Sequence, residues 1–232
     1  MRDIVTYINE GFKLGKNKVK KEDNDFVDLN LPSKTLWCKY NVGATCGSNA
    51  ESWYGNYFTW GDTKPATNKR GNWGNYKWYN SDSNKLIKYC TSNKTNYWDG
   101  KGKPDNKLVL DEEDDMANAN MGGNWKMPTK EELQELINNT TNEWVTDYNG
   151  ISGLNGILFT SKSNDNTLFI PAAGFLSLSS INNAGYNFYI WSSTLNVSNP
   201  NNAYILNGGD IYKIYVTTDC RYYEFPVRAI MN

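Results

Sequence analysis

Four cysteines and one dense run of acids are the side chains of this chain best suited to chemistry. Cys38, Cys46, Cys90 and Cys220 include no pair at the CxxC spacing that zinc-binding or thioredoxin-like sites need. They would form two disulfides only in an oxidising compartment and stay buried thiols in a cytosol. The run Asp111-Glu112-Glu113-Asp114-Asp115 reads as the opening of a helix that extends to about Asn120. Asp111 is its expected N-cap, and the acids lie against the positive end of the helix dipole. A calcium cluster is the competing reading, but EF-hand spacing is missing and no metal ligand is assigned. The chain contains no histidine. That removes the commonest general base and metal ligand, and with them histidine-dependent triads and zinc sites. No pair of carboxylates stands out as an acid–base couple. The expectation is therefore no catalytic residue and no cofactor.

The other chemistry on offer is recognition. The chain has 9 Trp and 16 Tyr, and about one residue in seven is Asn. Rigid rings with small polar groups make adaptable binding surfaces; compositional drift in an AT-rich genome is the competing account of the asparagines. A net charge of −1 gives no reason to expect nucleic acid or an anionic membrane as partner.

The elements that must position these groups follow from periodicity. Ile4, Ile8 and Phe12 are spaced by four with Val5 alongside, one face of a short amphipathic helix. Gly15 ends it, and Lys13, Lys16, Lys18, Lys20 and Lys21 make a basic tail. Three turns are marginal alone in water, so this face needs a partner or its own domain. The opening lacks the apolar core and cleavage site of a signal peptide, and no apolar run is long enough to cross a membrane. Residues 1–21 are read as an anchoring segment and 22–232 as one domain. In that domain Val27–Pro32 alternates like a half-buried strand, and residues 53–107 are aromatic, aperiodic and loop-dominated. Thr129 with Glu132 forms a capping box for a second helix whose buried stripe is Leu133, Leu136 and Ile137. Strands are expected at 156–160, 167–171, 189–193, 203–206, 212–216 and 225–230. Two short helices with many short strands and long loops make an α+β domain.

VDLNLPSKTLWCKYNVGAT, YFTWGDT, DEEDDMANANMGGNWKMPT, LFIPAAGF, YIWSST and FPVRAI follow one another in that order. Together they resemble a domain family common in Bacteroidetes and their phages, similar to the C-type-lectin-like fold in its formylglycine-generating, sulfatase-modifying branch. The resemblance spans about residues 26–230. It implies that Trp125, Trp191, Leu168, Ile170 and Val227 are core, that Gly122-Gly123 supply backbone freedom, and that Arg228 anchors an internal carbonyl or carboxylate. Enzymes of that branch use a close cysteine pair near the C-terminal end; only Cys220 is there, so the activity does not carry over. Calcium-dependent lectins of the fold read sugars through loops that Asn199-Pro200-Asn201-Asn202 echoes only faintly, without the acid. A calcium-free sugar face is expected instead. Its candidates are Trp73, Tyr76, Trp78, Tyr97 and Trp98 in the long insertion, with Tyr186 and Asn187 in a later loop, about half of them doubling as core cover. INEGFKLGKNK is similar to N-terminal segments of crAss-like phage proteins. The resemblance implies a virion protein made in the host cytoplasm, hooked by Ile4, Val5, Ile8 and Phe12 to a virion structural partner and displaying its domain, as a homo-oligomer, to a host-surface glycan or protein. A chain starting at Glu22 is therefore expected to give a folded circular-dichroism spectrum but to be missing from purified particles; a truncated chain that aggregates makes the opening part of the fold.

Overall fold

The structure is a computed structural model, and it describes residues 25–66, 71–91, 93–100, 102–177, 180–211 and 213–232. The expected N-terminal helix and basic tail lie outside the described residues. In chain order the described elements begin with β1 Phe26–Asp28, β2 Leu36–Asn41, α1 Glu51–Tyr54, β3 Tyr57–Phe58, β4 Tyr79–Asn80 and β5 Lys85–Leu86. The middle holds α2 Met116–Met121, α3 Lys130–Asn139, β6 Thr140–Val145, β7 Gly156–Ser161 and β8 Thr167–Pro171. The remainder is β9 Phe175–Ser177, β10 Ser180–Asn182, β11 Asn187–Leu195, β12 Asn202–Gly209, β13 Tyr215–Cys220, β14 Phe225–Pro226 and β15 Arg228–Met231. The fold is α+β, with few helices and many short antiparallel strands.

Three three-stranded sheets carry it: β1-β2-β15, β6-β7-β8 and β11-β12-β13. Sequence neighbours pair as antiparallel meanders in the last two. In the first, β2 takes both β1 and the C-terminal β15, so the two ends of the described chain meet in one sheet. β11 is buried along nearly its whole length, as its apolar and small side chains allow. One core cluster gathers Phe58, Trp60, Trp191, Phe225 and Val227; a second gathers Trp37, Leu133, Leu136, Phe159, Ile170 and Leu206. Trp191, Leu168, Ile170 and Val227 are buried as expected, and Trp125 packs at the margin of the first cluster.

The helix signals were mostly legible. The capping box of α3 is present, with Thr129 accepting from the Glu132 amide at 3.2 Å and Glu132 accepting from the Thr129 amide at 2.7 Å. Asp111 is not the cap of α2. The acids 112–114 wind into a separate tight turn, and α2 starts four residues later than expected. Its cap is Asp115, which accepts from the amides of Ala117 at 2.8 Å, Asn118 at 3.0 Å and Met127 at 2.8 Å. A buried carboxylate able to satisfy three amides outcompetes a half-buried one that is paired with lysines. Gly122 and Gly123 follow α2 with φ of 70° and 62°, the freedom expected there. α1 and β6 were not anticipated, and β13 begins at Tyr215 rather than 212. β6 carries three consecutive exposed residues, so it lacks the alternation that announces a strand. At Gly174, φ is 61° and any Cβ would collide with the Asn182 carbonyl, which explains glycine after the small pair Ala172-Ala173.

Arg228 is fully buried. Its guanidinium donates to Asn41 Oδ1 at 3.0 Å, to the carbonyls of Cys38 at 3.0 Å and Lys39 at 2.8 Å, and to the Phe169 carbonyl at 3.0 Å. It therefore ties β15 to β2 and β8, as an internal carbonyl anchor. Burial lowers its pKa to about 10, which leaves it charged at neutral pH. Arg228→Met is expected to strand these acceptors and cost at least about 3 kcal/mol in denaturant unfolding. Arg228→Lys should recover only part, because a single ammonium cannot span the fork.

Candidate functional site

The insertion between β3 and α2 has little regular structure, so side chains must hold it. Arg221, just after β13, is fully buried. It donates to Tyr76 Oη at 2.8 Å, to the carbonyls of Tyr89 at 3.1 Å and Pro200 at 2.9 Å, and to the Lys88 carbonyl at 3.1 Å. The rings of Trp60, Tyr76 and Tyr89 lie 4.8, 5.1 and 5.8 Å from it. Tyr76 in turn donates to the Trp60 carbonyl at 2.7 Å, and burial pushes its hydroxyl up to about 12 against the opposing effect of Arg221. Tyr76 is only 3% exposed. It braces the insertion and is not a surface contact, which corrects the expectation for it.

A second brace is ionic. Oxygens of Asp111, Glu113 and Asp114 converge within 4.8 Å of one another, the geometry of a cation site. Lys88 Nζ lies among them, at 2.9 Å from Asp111, 3.1 Å from Glu113 and 2.5 Å from Asp114. Lys77 reaches Asp114 at 3.0 Å, Lys107 reaches Asp111 at 2.5 Å, and Tyr89 donates to Asp114 at 2.6 Å. The protein thus supplies its own cation here. Both Lys77 and Lys88 lie over the Trp78 ring, at 4.2 and 4.9 Å, and the indole donates to the Gly61 carbonyl at 3.2 Å. Trp78 is therefore also part of the brace.

These braces present a cleft of about 530 Å³, lined by Tyr79, Asn80, Ser81, Asp82, Ile87, Trp98 and Asp99. β4 and β5 form its hairpin, and Trp98 is laid beside Leu86 by a parallel bridge, with the Asp99 amide donating to the Leu86 carbonyl at 3.0 Å. Asn80 donates to Asp99 at 3.1 and 3.2 Å while accepting from the Asp82 amide at 3.0 Å. Ser83 also donates to Asp99. The Trp98 indole N–H is buried and has no hydrogen-bond partner among the described residues, so packing alone holds the ring. Behind Tyr79 sits Trp73, with ring centroids 4.7 Å apart; Tyr222 meets the Trp73 ring at 5.0 Å.

Of the seven expected contacts, only Trp98 lines this cleft. Trp73 supports it from behind. Tyr97 lies next to Trp98 in a tight turn, outside the lining. Tyr186 is 70% exposed at the turn entering β11, and Asn187 pairs with Gly209 in that sheet; neither lines the cleft. The polar half of the lining, Asn80, Asp82 and Asp99, was missed. Its only sequence signal is the Asn-Ser-Asp turn between two aromatic runs. Arg221 carried no signal at all. A second hollow of about 460 Å³ lies beside Trp125 and Asn124, but Asp115 there is committed to capping α2 and Asn232 donates to Glu132 at 2.9 Å. No disulfide joins the cysteines among the described residues, and Cys38 and Cys90 are buried. Compared with models of known families, with curated proteins and with solved structures, the chain matches none.

Burial pushes Asp114 up, but hydrogen bonds from Lys88, Tyr89 and Lys77 outweigh it and hold the carboxyl below its ordinary range. Asp111 is also held low, by its bond from Lys107 and then by Lys88. Carboxyls depressed in the fold stabilise it above their unfolded values near 4, and that contribution is lost as pH falls through the lower folded values. Burial lowers Lys88, but its three carboxylate bonds raise it further. Its contribution is present below about 10.4 and lost as pH rises through the folded value. Tryptophan fluorescence should thus report a stable plateau between about pH 4 and pH 10, with loss on both sides. Lys88→Ala should cost about 3 kcal/mol at pH 7, with a smaller penalty as the freed carboxylates protonate.

Proposed function

We propose that this chain is a non-enzymatic glycan-binding protein, whose domain 22–232 has a C-type-lectin-like fold and whose cleft at Tyr79 and Trp98 holds the sugar. The observation that carries this reading is the composition of the cleft. Apolar rings and Ile87 supply flat surface for the C–H faces of a sugar, and the exposed Ser81 and Asp82 supply hydrogen-bonding groups for hydroxyls beside the bonded pair Asn80 and Asp99. The insertion is clamped from below by Arg221 and Lys88, so the cleft is formed before a ligand arrives, which lowers the entropic cost of binding. The motif order from VDLNLPS to FPVRAI and the α+β architecture support the lectin-like part.

Display on a phage particle is the second half of the proposal. It rests on the resemblance of the opening segment and on the amphipathic face Ile4, Val5, Ile8 and Phe12, with a virion structural protein as partner. Several copies on one particle would convert weak single contacts into firm attachment to a host-surface glycan. A bacterial binding protein of the same fold outside any virion is the alternative, and neighbouring capsid, portal or tail genes separate the two.

Trp98→Ala and Tyr79→Ala are each expected to weaken binding on a glycan array by about tenfold or more, equivalent to about 1.4 kcal/mol. Tyr186→Ala should leave it unchanged, and the bound oligosaccharide should be recovered uncleaved. If Tyr186→Ala abolishes binding and the two cleft variants do not, the sugar face lies at the later loop. Cleavage of the oligosaccharide would make the protein a hydrolase.

A further inference from the structure

We infer that the hollow at Trp125 is a second sugar-binding site, separate from the cleft at Tyr79 and Trp98; it goes beyond the single cleft of the glycan-binding reading and rests on that reading for its class of ligand. Its volume of about 460 Å³ falls within the range of about 300–1,000 Å³ usual for small-molecule sites. Leu110, Met127 and the half-buried Trp125 ring give it apolar surface, and Glu112, Asn118 and Asn124 give it polar groups.

The walls are set before a ligand arrives. The Ser193 carbonyl accepts from the Leu110 amide at 3.0 Å and the Ser193 amide donates to the Pro128 carbonyl at 2.8 Å, so one residue of β11 holds both sides. Asp115 ties the start of α2 to Met127 by accepting from the amides of Ala117, Asn118 and Met127. Lys126, next to Trp125, exchanges backbone hydrogen bonds with Ile230 of β15 at 3.0 and 2.8 Å. A hollow held in this way loses little affinity to ordering.

Its polar groups are only partly committed. Asp115, Thr129 and Asn232 serve the fold. Glu112 and Asn124 are exposed, and among the described residues neither their side chains nor the Trp125 indole N–H makes a hydrogen bond. A ring with an open N–H, an amide that donates and accepts, and a carboxylate that accepts together match the C–H face and the hydroxyls of a pyranose. An apolar ligand would strip water from these groups and replace none of its hydrogen bonds. The hollow and the cleft share no lining residue. The turn 112–114 divides them: Glu112 lines the hollow, while Glu113 and Asp114 bond Lys88, the neighbour of Ile87 in the cleft. In solution each site therefore fills on its own, whereas on a printed array both engage together and loss of either lowers avidity.

The test follows the tryptophan indole N–H signals of the full ¹⁵N-labelled chain by NMR during titration with neutral trisaccharides of glucose, galactose, mannose and N-acetylglucosamine. Trp98→Phe and Trp125→Phe assign the two signals that matter. Both are expected to shift with the binding probe, along separate saturation curves. Glu112→Ala combined with Asn124→Ala removes exposed side chains and should weaken the Trp125 curve at least about fivefold while leaving the Trp98 curve within about twofold. Shifts at Trp98 with none at Trp125 overturn this inference and leave the cleft reading standing. Shifts at Trp125 with none at Trp98 do the reverse, and make the hollow the sugar site. No shift at either indole with any probe removes both.

Discussion

A positive charge buried among oxygens that are not carboxylates imposes a strict condition on its neighbours, and Arg221 is such a charge. Its bonds go to one tyrosine hydroxyl and to the carbonyls of Tyr89, Lys88 and Pro200. Moving a guanidinium out of water without these acceptors would cost far more than the fold has to spare. All of them must therefore stay in place together. That requirement joins residues 76–89 of the insertion, the loop before β12 and the end of β13 into one unit. Arg228 does the equivalent for the other half, pinning β15, β2 and β8. The two arginines stand seven residues apart in sequence and hold different parts of the fold.

The charge of Arg221 also explains why aromatic residues crowd the insertion. Trp60, Tyr76 and Tyr89 surround the guanidinium with ring faces, which satisfy its charge weakly but exclude water well. From there rings continue outward and inward. Tyr79 at the cleft meets Trp73, which meets Tyr222, then Tyr223, then Phe225 in the core beside Trp191. The cleft wall is thus joined to the core by packed rings, and a loop with little regular hydrogen bonding becomes a rigid support. The Lys88 cluster closes the other side of the insertion.

This arrangement reconciles a long irregular loop with the binding role proposed for it. Loops are free to vary in sequence because the strands elsewhere carry the stability, yet a loop that moves loses affinity to ordering. Here the ordering is done by buried groups outside the cleft, which leaves Tyr79, Asp82, Ile87 and Trp98 to line it. Many of the tryptophans and tyrosines that make the chain look like a binding surface are consumed in that support.

By itself the sequence determined the fold class, the capping box at Thr129, the strands at 156–160 and 167–171, and the internal role of Arg228. These follow from local periodicity, from turn and cap chemistry and, for Arg228, from the family resemblance. It also marked the insertion as a long aromatic stretch with little regular structure. Only the tertiary structure decided which of the insertion's rings face solvent. Trp73, Tyr76, Trp78 and Trp98 are of similar type within one aperiodic stretch, and no spacing rule separates a ring that lines a cleft from one that packs under it. What separates them is the position of Arg221, more than a hundred residues later in the chain, and of the acids at 111–114, which together fix how the insertion folds back. The cap of α2 shows the same limit on a smaller scale. Five neighbouring acids offered equal local claims, and burial against Met127, a contact from beyond the helix, chose Asp115.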